Sequence, residues 1–122
     1  MKVRLKLISV DLDTQERKIL ADGAALFDGE RLLYQEKDTG AKHQIIWKGD
    51  CMEIHRNAEI TSITTLCKDG GGKTRIISEY GVMELDVVCE YIHTADTLWT
   101  VVYRIENQGD VTLHQRLEWH IS

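Results

Sequence analysis

The sequence of 122 residues contains no proline, and its longest uninterrupted apolar run is the four residues 24–27. No proline-rich or low-complexity tract marks a linker, so residues 1–122 are predicted to form one domain. A membrane-spanning helix needs about 18 consecutive apolar residues, and none is predicted. The N-terminus lacks the continuous apolar block of a signal peptide, which predicts a cytoplasmic protein.

Positive charge is also scarce. Fifteen Lys and Arg residues stand against 20 Asp and Glu residues, for a formal net charge of −5. Binding to nucleic acid or to an anionic membrane needs clustered positive charge. We therefore predict no nucleic-acid partner and no membrane partner.

Cysteine is limited to positions 51, 67 and 89, an odd number with no C-x-x-C pair. This pattern favours reduced, free thiols. Cys51 with His55, and Cys89 with His93, form C-x-x-x-H pairs that suggest a metal site. On a strand, residues i and i+4 lie about 13 Å apart, too far to share one ion. No metal is predicted.

The glycine-rich stretch KDGGGKT, residues 68–74, ends like a phosphate-binding loop. The G-x-x-x-x-G-K-[ST] motif requires a first glycine five residues before Gly72, where this chain has Cys67. It also requires a helix directly after the loop, whereas residues 74–78, TRIIS, are rich in β-branched residues and strand-like. The stretch is predicted to be an exposed hairpin turn, and no nucleotide or other cofactor is predicted.

The last third of the chain alternates between apolar and polar residues with a period of two, which is typical of half-buried strands. The odd-numbered positions form the predicted inner face of three strands: Met83, Leu85, Val87, Cys89 and Tyr91, then Trp99, Val101, Tyr103 and Ile105, then Val111, Leu113, Leu117, Trp119 and Ile121. The opposite stripe His114, Arg116, Glu118 and His120 is predicted to be a solvated outer face.

This shared parity predicts two hairpin registers. A three-residue loop at 107–109 would pair Glu106 with Asp110, with Gly109 at the left-handed position. A turn at 94–96 would pair Tyr91 with Trp99 on the inside and Asp86 with Arg104 on the outside. Together with Tyr103 and Trp119, both Tyr91 and Trp99 are then core residues.

The same register predicts an apolar stripe on the outer face, with Val88 opposite Val102 and Ile92 opposite Leu98. A contiguous exposed apolar group suggests a covered surface. We predict a homodimer through these four residues, although a segment of the same chain could cover them instead.

Earlier segments are predicted to be strands near residues 2–10, 16–21, 30–37, 42–48, 51–56, 60–67 and 74–79. Turns are expected at 22–23, 28–29, 39–40, 49–50 and 68–72, and a short helical turn could form near 13–18. Short strands at this spacing indicate an all-β antiparallel barrel or a sandwich.

Arg56 shares a strand face with Met52 and Ile54, so it is predicted to point inward near one end of the barrel. A buried arginine needs a partner, and Glu36 is the candidate because it follows the inward-facing Tyr34. The pair is either a structural salt bridge or an anchor for an anionic ligand.

The segments ERLLYQEKDTG, EIHR, ISEYGVMELDVV and LWTVVYRIENQG occur in an order that resembles the YwiB-like family, small bacterial proteins with a domain of unknown function. The resemblance runs along essentially the whole chain. It departs at Asn57 and Ala58, where the family often has a glycine, and at Cys89, where it favours threonine. It implies a single antiparallel calycin-like (lipocalin-like) β-barrel of about eight strands, and it assigns no catalytic residue to this chain.

We therefore expect a non-enzymatic protein that binds a small, partly apolar or anionic molecule in the barrel, through Tyr34, Glu36, Arg56 and Tyr103. One alternative is a filled barrel that acts as a protein-interaction module through its outer face. An enzyme is the least favoured alternative.

Overall fold

The computed structural model describes all 122 residues, which form ten strands and no helix. The strands are β1 Lys2–Asp11, β2 Arg17–Phe27, β3 Arg31–Gln35, β4 Lys42–Trp47, β5 Cys51–Asn57, β6 Thr61–Cys67, β7 Gly72–Ser78, β8 Gly81–Thr94, β9 Leu98–Asn107 and β10 Asp110–Ile121. The all-β prediction is confirmed, but the strand number is ten, not about eight. No helix forms near residues 13–18, where residues 12–14 form a turn closed by a hydrogen bond from the Gln15 N–H to the Asp11 carbonyl. The structure contains no helix able to cross a bilayer.

Each strand pairs antiparallel with its neighbours in the chain, and β1 pairs with both β2 and β10 to close the barrel. Because successive strands run up and down, the loops after odd-numbered strands gather at one end. We call this end the mouth. The loops after even-numbered strands and both chain termini lie at the opposite end.

The barrel interior is filled mainly by apolar side chains. The largest fully buried ones are Trp99, Trp119, Leu5, Leu7, Leu32, Ile45, Met52, Leu66 and Val101. The predicted inward placement of Trp99, Tyr103 and Trp119 is confirmed, since their relative exposures are 2%, 6% and 0%. Burial of these large apolar side chains stabilises the barrel.

A β-bulge in β8 changes the register that the alternation predicts. Cys89 pairs with Tyr103, but the next pair is Tyr91 with Val102, so the side-chain parity reverses at Glu90. Tyr91 is 51% exposed, and its predicted core position is wrong. The bulge turns Ile92 toward the core instead. A bulge adds one unpaired residue to one strand, and such an insertion leaves no trace in an alternating pattern.

The β9–β10 hairpin also differs from its prediction. Its loop has two residues, Gln108 and Gly109, both with positive φ, and Asn107 pairs with Asp110. This is the geometry of tight hairpin turns. A bulge at Thr112 then restores the parity, so the inner faces of β9 and β10 coincide although the predicted pairing of Glu106 with Asp110 is wrong.

The predicted outer apolar stripe is not formed, because its register depended on the unbulged β8–β9 hairpin. Val88 lies opposite Arg104, and Ile92 lies opposite Val101. Asp86 lies opposite Glu106, so its predicted pairing with Arg104 is wrong. Leu98 and Val102 remain half-buried on the outer face. The homodimer stays a prediction, without the contiguous stripe that suggested it.

The prediction of three free thiols is wrong. Cys51 and Cys67 are directly opposed in the β5–β6 ladder, with 4.0 Å between their Cα atoms, and they form a disulfide. Only Cys89 is free, and it is buried. The widely spaced cysteines become neighbours because a hairpin centred near residue 59 brings the two strand ends together.

Residues 68–71 of the KDGGGKT stretch form the turn between β6 and β7, as predicted, and its last three residues already belong to β7. Gly70 has φ +97° at the turn. Gly72 is required for a different reason, because a Cβ there would lie 2.4 Å from the Thr65 carbonyl oxygen. The turn expected at Asp22 and Gly23 is wrong, since both residues lie within β2.

Candidate functional site

A cavity of about 240 Å³ opens at the mouth of the barrel. Its base is apolar and its sides are mostly polar. The lining residues are Leu7, Leu20, Glu36, His43, Ile54, Arg56, Ser62, Thr64, Tyr103, Gln115, Leu117 and Trp119. Trp119, Leu117 and Ile54 belong to the packed core, so the cavity does not continue down the barrel axis.

Three of the cavity's polar side chains, together with Tyr34 next to them, belong to one row that crosses neighbouring strands. Tyr34 lies opposite His43, His43 opposite Arg56, and Arg56 opposite Ser62. Directly opposed residues in a sheet share a face. The strand registers thus place these four side chains next to one another on the inner wall, and Glu36 reaches the same row from the residue after β3.

Glu36 and Arg56 form the predicted pair. Arg56 Nε donates to Glu36 Oε2 at 2.6 Å, and Nη2 donates to Oε1 at 3.3 Å. Burial alone would raise the pKa of the Glu36 carboxyl, but hydrogen bonds from Arg56, His43 and Thr39 outweigh it and hold the pKa at about 2. The carboxylate is therefore ionised at neutral pH, and its charge balances that of the guanidinium.

His43 connects this pair to the core through an ordered chain of hydrogen bonds. Trp119 Nε1 donates to Tyr34 Oη at 2.7 Å, so the Tyr34 hydroxyl uses its own proton toward His43 Nδ1 at 2.9 Å. His43 Nε2 then donates to Glu36. Burial lowers the pKa of His43, and the contact with Glu36 only partly offsets this. A neutral imidazole protonated on Nε2 satisfies every partner in the chain.

Three hydrogen-bond donors at the cavity have no partner within the protein. Gln115 Nε2 donates to the Tyr103 hydroxyl oxygen, which leaves the Tyr103 proton unengaged. The Ser62 hydroxyl makes no side-chain hydrogen bond, and Arg56 contacts Glu36 only through Nε and Nη2, which leaves Nη1 free. All three residues line the cavity above its apolar base, so a group that accepts hydrogen bonds fits there best.

Of the four predicted site residues, the structure brings Glu36, Arg56 and Tyr103 together at the cavity. Tyr34 lies behind His43 and lines a separate groove of about 660 Å³ between β2 and β3. This groove exists because those strands pair only at Leu26 with Leu33 and at Phe27 with Leu32 before they diverge.

Sequence reasoning missed His43, Ser62 and Gln115. His43 lies two residues before Ile45 on β4 and therefore shares its inward face. The alternation thus predicts a buried polar side chain at position 43. Nothing in the sequence around Ser62 or Gln115 indicates a site. Ser62 lines the cavity because it lies opposite Arg56, and Gln115 does so because it lies opposite Tyr103.

No cluster of three or more His, Cys, Asp or Glu side chains is arranged to hold a metal ion. Cys51 is bonded to Cys67, and Cys89 faces the core while His93 lies beyond the bulge and is exposed. The His114, Arg116, Glu118 and His120 stripe lies on the outer face. There Glu118 contacts Arg116 and His120, and His114 contacts Glu90.

The fold is similar to that in the crystal structure of the YwiB protein from Bacillus subtilis. The superposition has a TM-score of 0.63 and covers 99% of this chain and 92% of that one, at 12% sequence identity. No family model matches the sequence, and no curated protein matches it either. The similarity shows that the two proteins share a barrel fold.

Proposed function

We propose that the protein binds a small, partly apolar molecule at the mouth of its barrel and has no catalytic role. The supporting observation is the convergence of three unengaged donors, from Arg56, Ser62 and Tyr103, on a cavity with an apolar base. The Gln115 side-chain oxygen offers an acceptor beside them. A carbonyl or carboxamide head group would match this set of donors and acceptor.

The charge balance favours an uncharged head group over an anion. The opposite charges of Glu36 and Arg56 cancel. With His43 neutral, no other ionised side chain lines the cavity. An anion would lose its hydration and face the Glu36 carboxylate as well as the Arg56 guanidinium. This refines the expectation of an anionic ligand. At about 240 Å³ the cavity is smaller than the roughly 300–1,000 Å³ of drug-sized sites, so the head group is small.

We also infer that the chain is a member of the YwiB-like family and that its barrel is of the calycin type. The full-length similarity to YwiB supports this inference. The segments that carry the sequence resemblance contain Tyr34, Glu36, Arg56 and Tyr103, which lie at or next to the mouth. The cytoplasmic location remains a prediction from the N-terminal sequence.

The experiment compares butanamide with butanoate, two molecules of nearly equal size that differ in charge, by ligand-dependent thermal unfolding. A ligand at about ten times its Kd stabilises the fold by about 1.4 kcal/mol. We expect butanamide to stabilise the protein with a millimolar Kd and butanoate to do so several-fold more weakly. Tyr103→Phe removes one donor and should weaken butanamide binding, whereas Tyr80→Phe, at a 91% exposed turn residue, should not.

Stabilisation by neither compound would contradict the proposal. Equal effects on the Tyr103→Phe and Tyr80→Phe variants would place the binding elsewhere on the protein. Tighter binding of butanoate would restore the anionic ligand as the better assignment.

A further inference from the structure

An apolar surface continues from the cavity wall onto the hairpins that extend beyond it. In β7 and β8, the buried residues Thr74 and Val87 face the interior. Residues two or four positions away on the same strand share that face. Tyr103 is buried and faces the interior, so Ile105, two residues later on β9, lies on the same inner face. Leu113 lies opposite Ile105. We call this surface the apolar shelf, formed by Ile76, Met83, Leu85, Ile105 and Leu113.

The shelf is joined to the cavity by the same strand registers that build the polar row. Arg56 lies opposite Ser62, Ser62 opposite Ile76, and Ile76 opposite Met83. Neighbouring strands lie about 4.8 Å apart, so Met83 is roughly 10 Å from the cavity-lining Ser62 along this row. A molecule with its head beside Arg56 can therefore extend over the shelf without a break in the wall.

Met83 is the exposed member of the shelf, and the other four residues are half-buried. Met83 is 53% exposed although it lies on the inward face of its strand, because residues 81–85 extend beyond the pairing of β8 with β9, which begins at Asp86. Below the cavity the barrel is closed by Trp119 and the residues around it, which are fully buried. Any apolar part of a ligand too long for the cavity has space along the shelf and none along the barrel axis.

We propose that the apolar shelf binds the hydrocarbon tail of a neutral amphiphile whose head group occupies the mouth cavity. This inference rests on the proposed function, because it requires a head group in the cavity. The ligand class is then an uncharged molecule with a compact carbonyl-type head and an unbranched tail. Such a ligand lies across the mouth of the barrel, with its tail outside the packed core.

The test measures Kd for acetamide, butanamide, hexanamide and octanamide with the wild-type protein and with Met83→Ser. Each added methylene that contacts the shelf should tighten binding by about twofold to fourfold, since a fully buried methylene is worth about 0.8 kcal/mol. Met83→Ser should flatten this dependence on chain length while it leaves the butanamide Kd within about twofold, because Met83 does not line the cavity. Val82→Ser is the matched control, since Val82 is 56% exposed but faces outward.

The outcomes separate the two proposals. If no amide binds, both fail. If butanamide binds but affinity does not rise with chain length, or rises equally in the wild type and Met83→Ser, the cavity proposal stands and the shelf proposal is overturned. Light scattering on the same samples tests the remaining occupant: a wild-type dimer that Met83→Ser converts to a monomer, with unchanged amide affinities, would assign the shelf to self-association and overturn the tail site.

Discussion

Trp119 donates a hydrogen bond of 2.7 Å to the hydroxyl of Tyr34, which lies 85 positions earlier in the chain. Their strands, β10 and β3, are separated in the barrel wall by β1 and β2, so the bond crosses the interior. It fixes the direction of the Tyr34 proton and, through it, the tautomer of His43. The cavity at the mouth thus depends on a polar contact inside the core.

Tyr34→Phe is predicted to destabilise the protein by about 1–3 kcal/mol, because it leaves the buried Trp119 N–H and His43 Nδ1 without partners. The measurement is the free energy of unfolding from urea denaturation. Tyr80→Phe, at a 91% exposed position, should change it by less than about 0.5 kcal/mol. If Tyr34→Phe behaves like this control, the chain of hydrogen bonds does not contribute to stability.

The pH dependence of stability should report on Glu36. Its pKa is lowered from 4.5 to about 2, so folding favours the ionised carboxylate. Its contribution is complete above about pH 4.5 and is lost as the pH falls toward about pH 2. Wild type should therefore be more stable than Glu36→Gln at pH 6, and the difference should shrink between pH 4.5 and pH 2. Removal of Glu36 also changes the pKa of His43, so the comparison is repeated in a His43→Gln background, where the imidazole is absent. A difference that stays constant through this range would contradict an ion pair with Arg56.

Reduction of the Cys51–Cys67 disulfide should lower stability by about 3 kcal/mol, as expected for a loop of this length. The measurement is thermal unfolding with and without dithiothreitol. The Cys51→Ser/Cys67→Ser double variant should show no response to the reductant, since its remaining cysteine is unpaired. An equal response of both proteins would show that the stabilising bond is absent.

Gly72→Ala should destabilise the protein by at least about 2 kcal/mol, because the new Cβ would overlap the Thr65 carbonyl oxygen in the neighbouring strand. Gly71→Ala is the matched control one residue away. Its Cβ would meet only the flexible Asp69 side chain, at 3.2 Å. Urea denaturation of the two variants gives the comparison, and similar losses for both would refute the close approach of β6 and β7 at Gly72.

Much of the fold could be predicted because one physical rule, alternation on a half-buried strand, holds along most of the last three strands. It placed Trp99, Tyr103 and Trp119 in the core, and the need of an inward arginine for a partner led from Arg56 to Glu36. The bulge at Glu90 could not be predicted, because one inserted residue reverses the parity without changing the composition.

The disulfide and His43 were missed for a different reason. Both depend on which residues lie opposite each other in neighbouring strands. The alternation predicts such a register only for the last two hairpins. A register for the β5–β6 hairpin would have placed Cys51 opposite Cys67. A register for β3, β4 and β5 would have placed His43 between Tyr34 and Arg56.

Binding of a small neutral molecule in the mouth cavity is tested most directly by NMR. In this experiment ¹⁵N-labelled protein is titrated with butanamide. We expect saturable shifts of the Arg56 Nε–H, the Gln115 side-chain amide and the Trp119 indole N–H. The Trp47 indole, which the cavity lining does not include, should stay unchanged. Shifts confined to the groove between β2 and β3, at Gly23 and Gln35, or no saturable shift at any site, would contradict it.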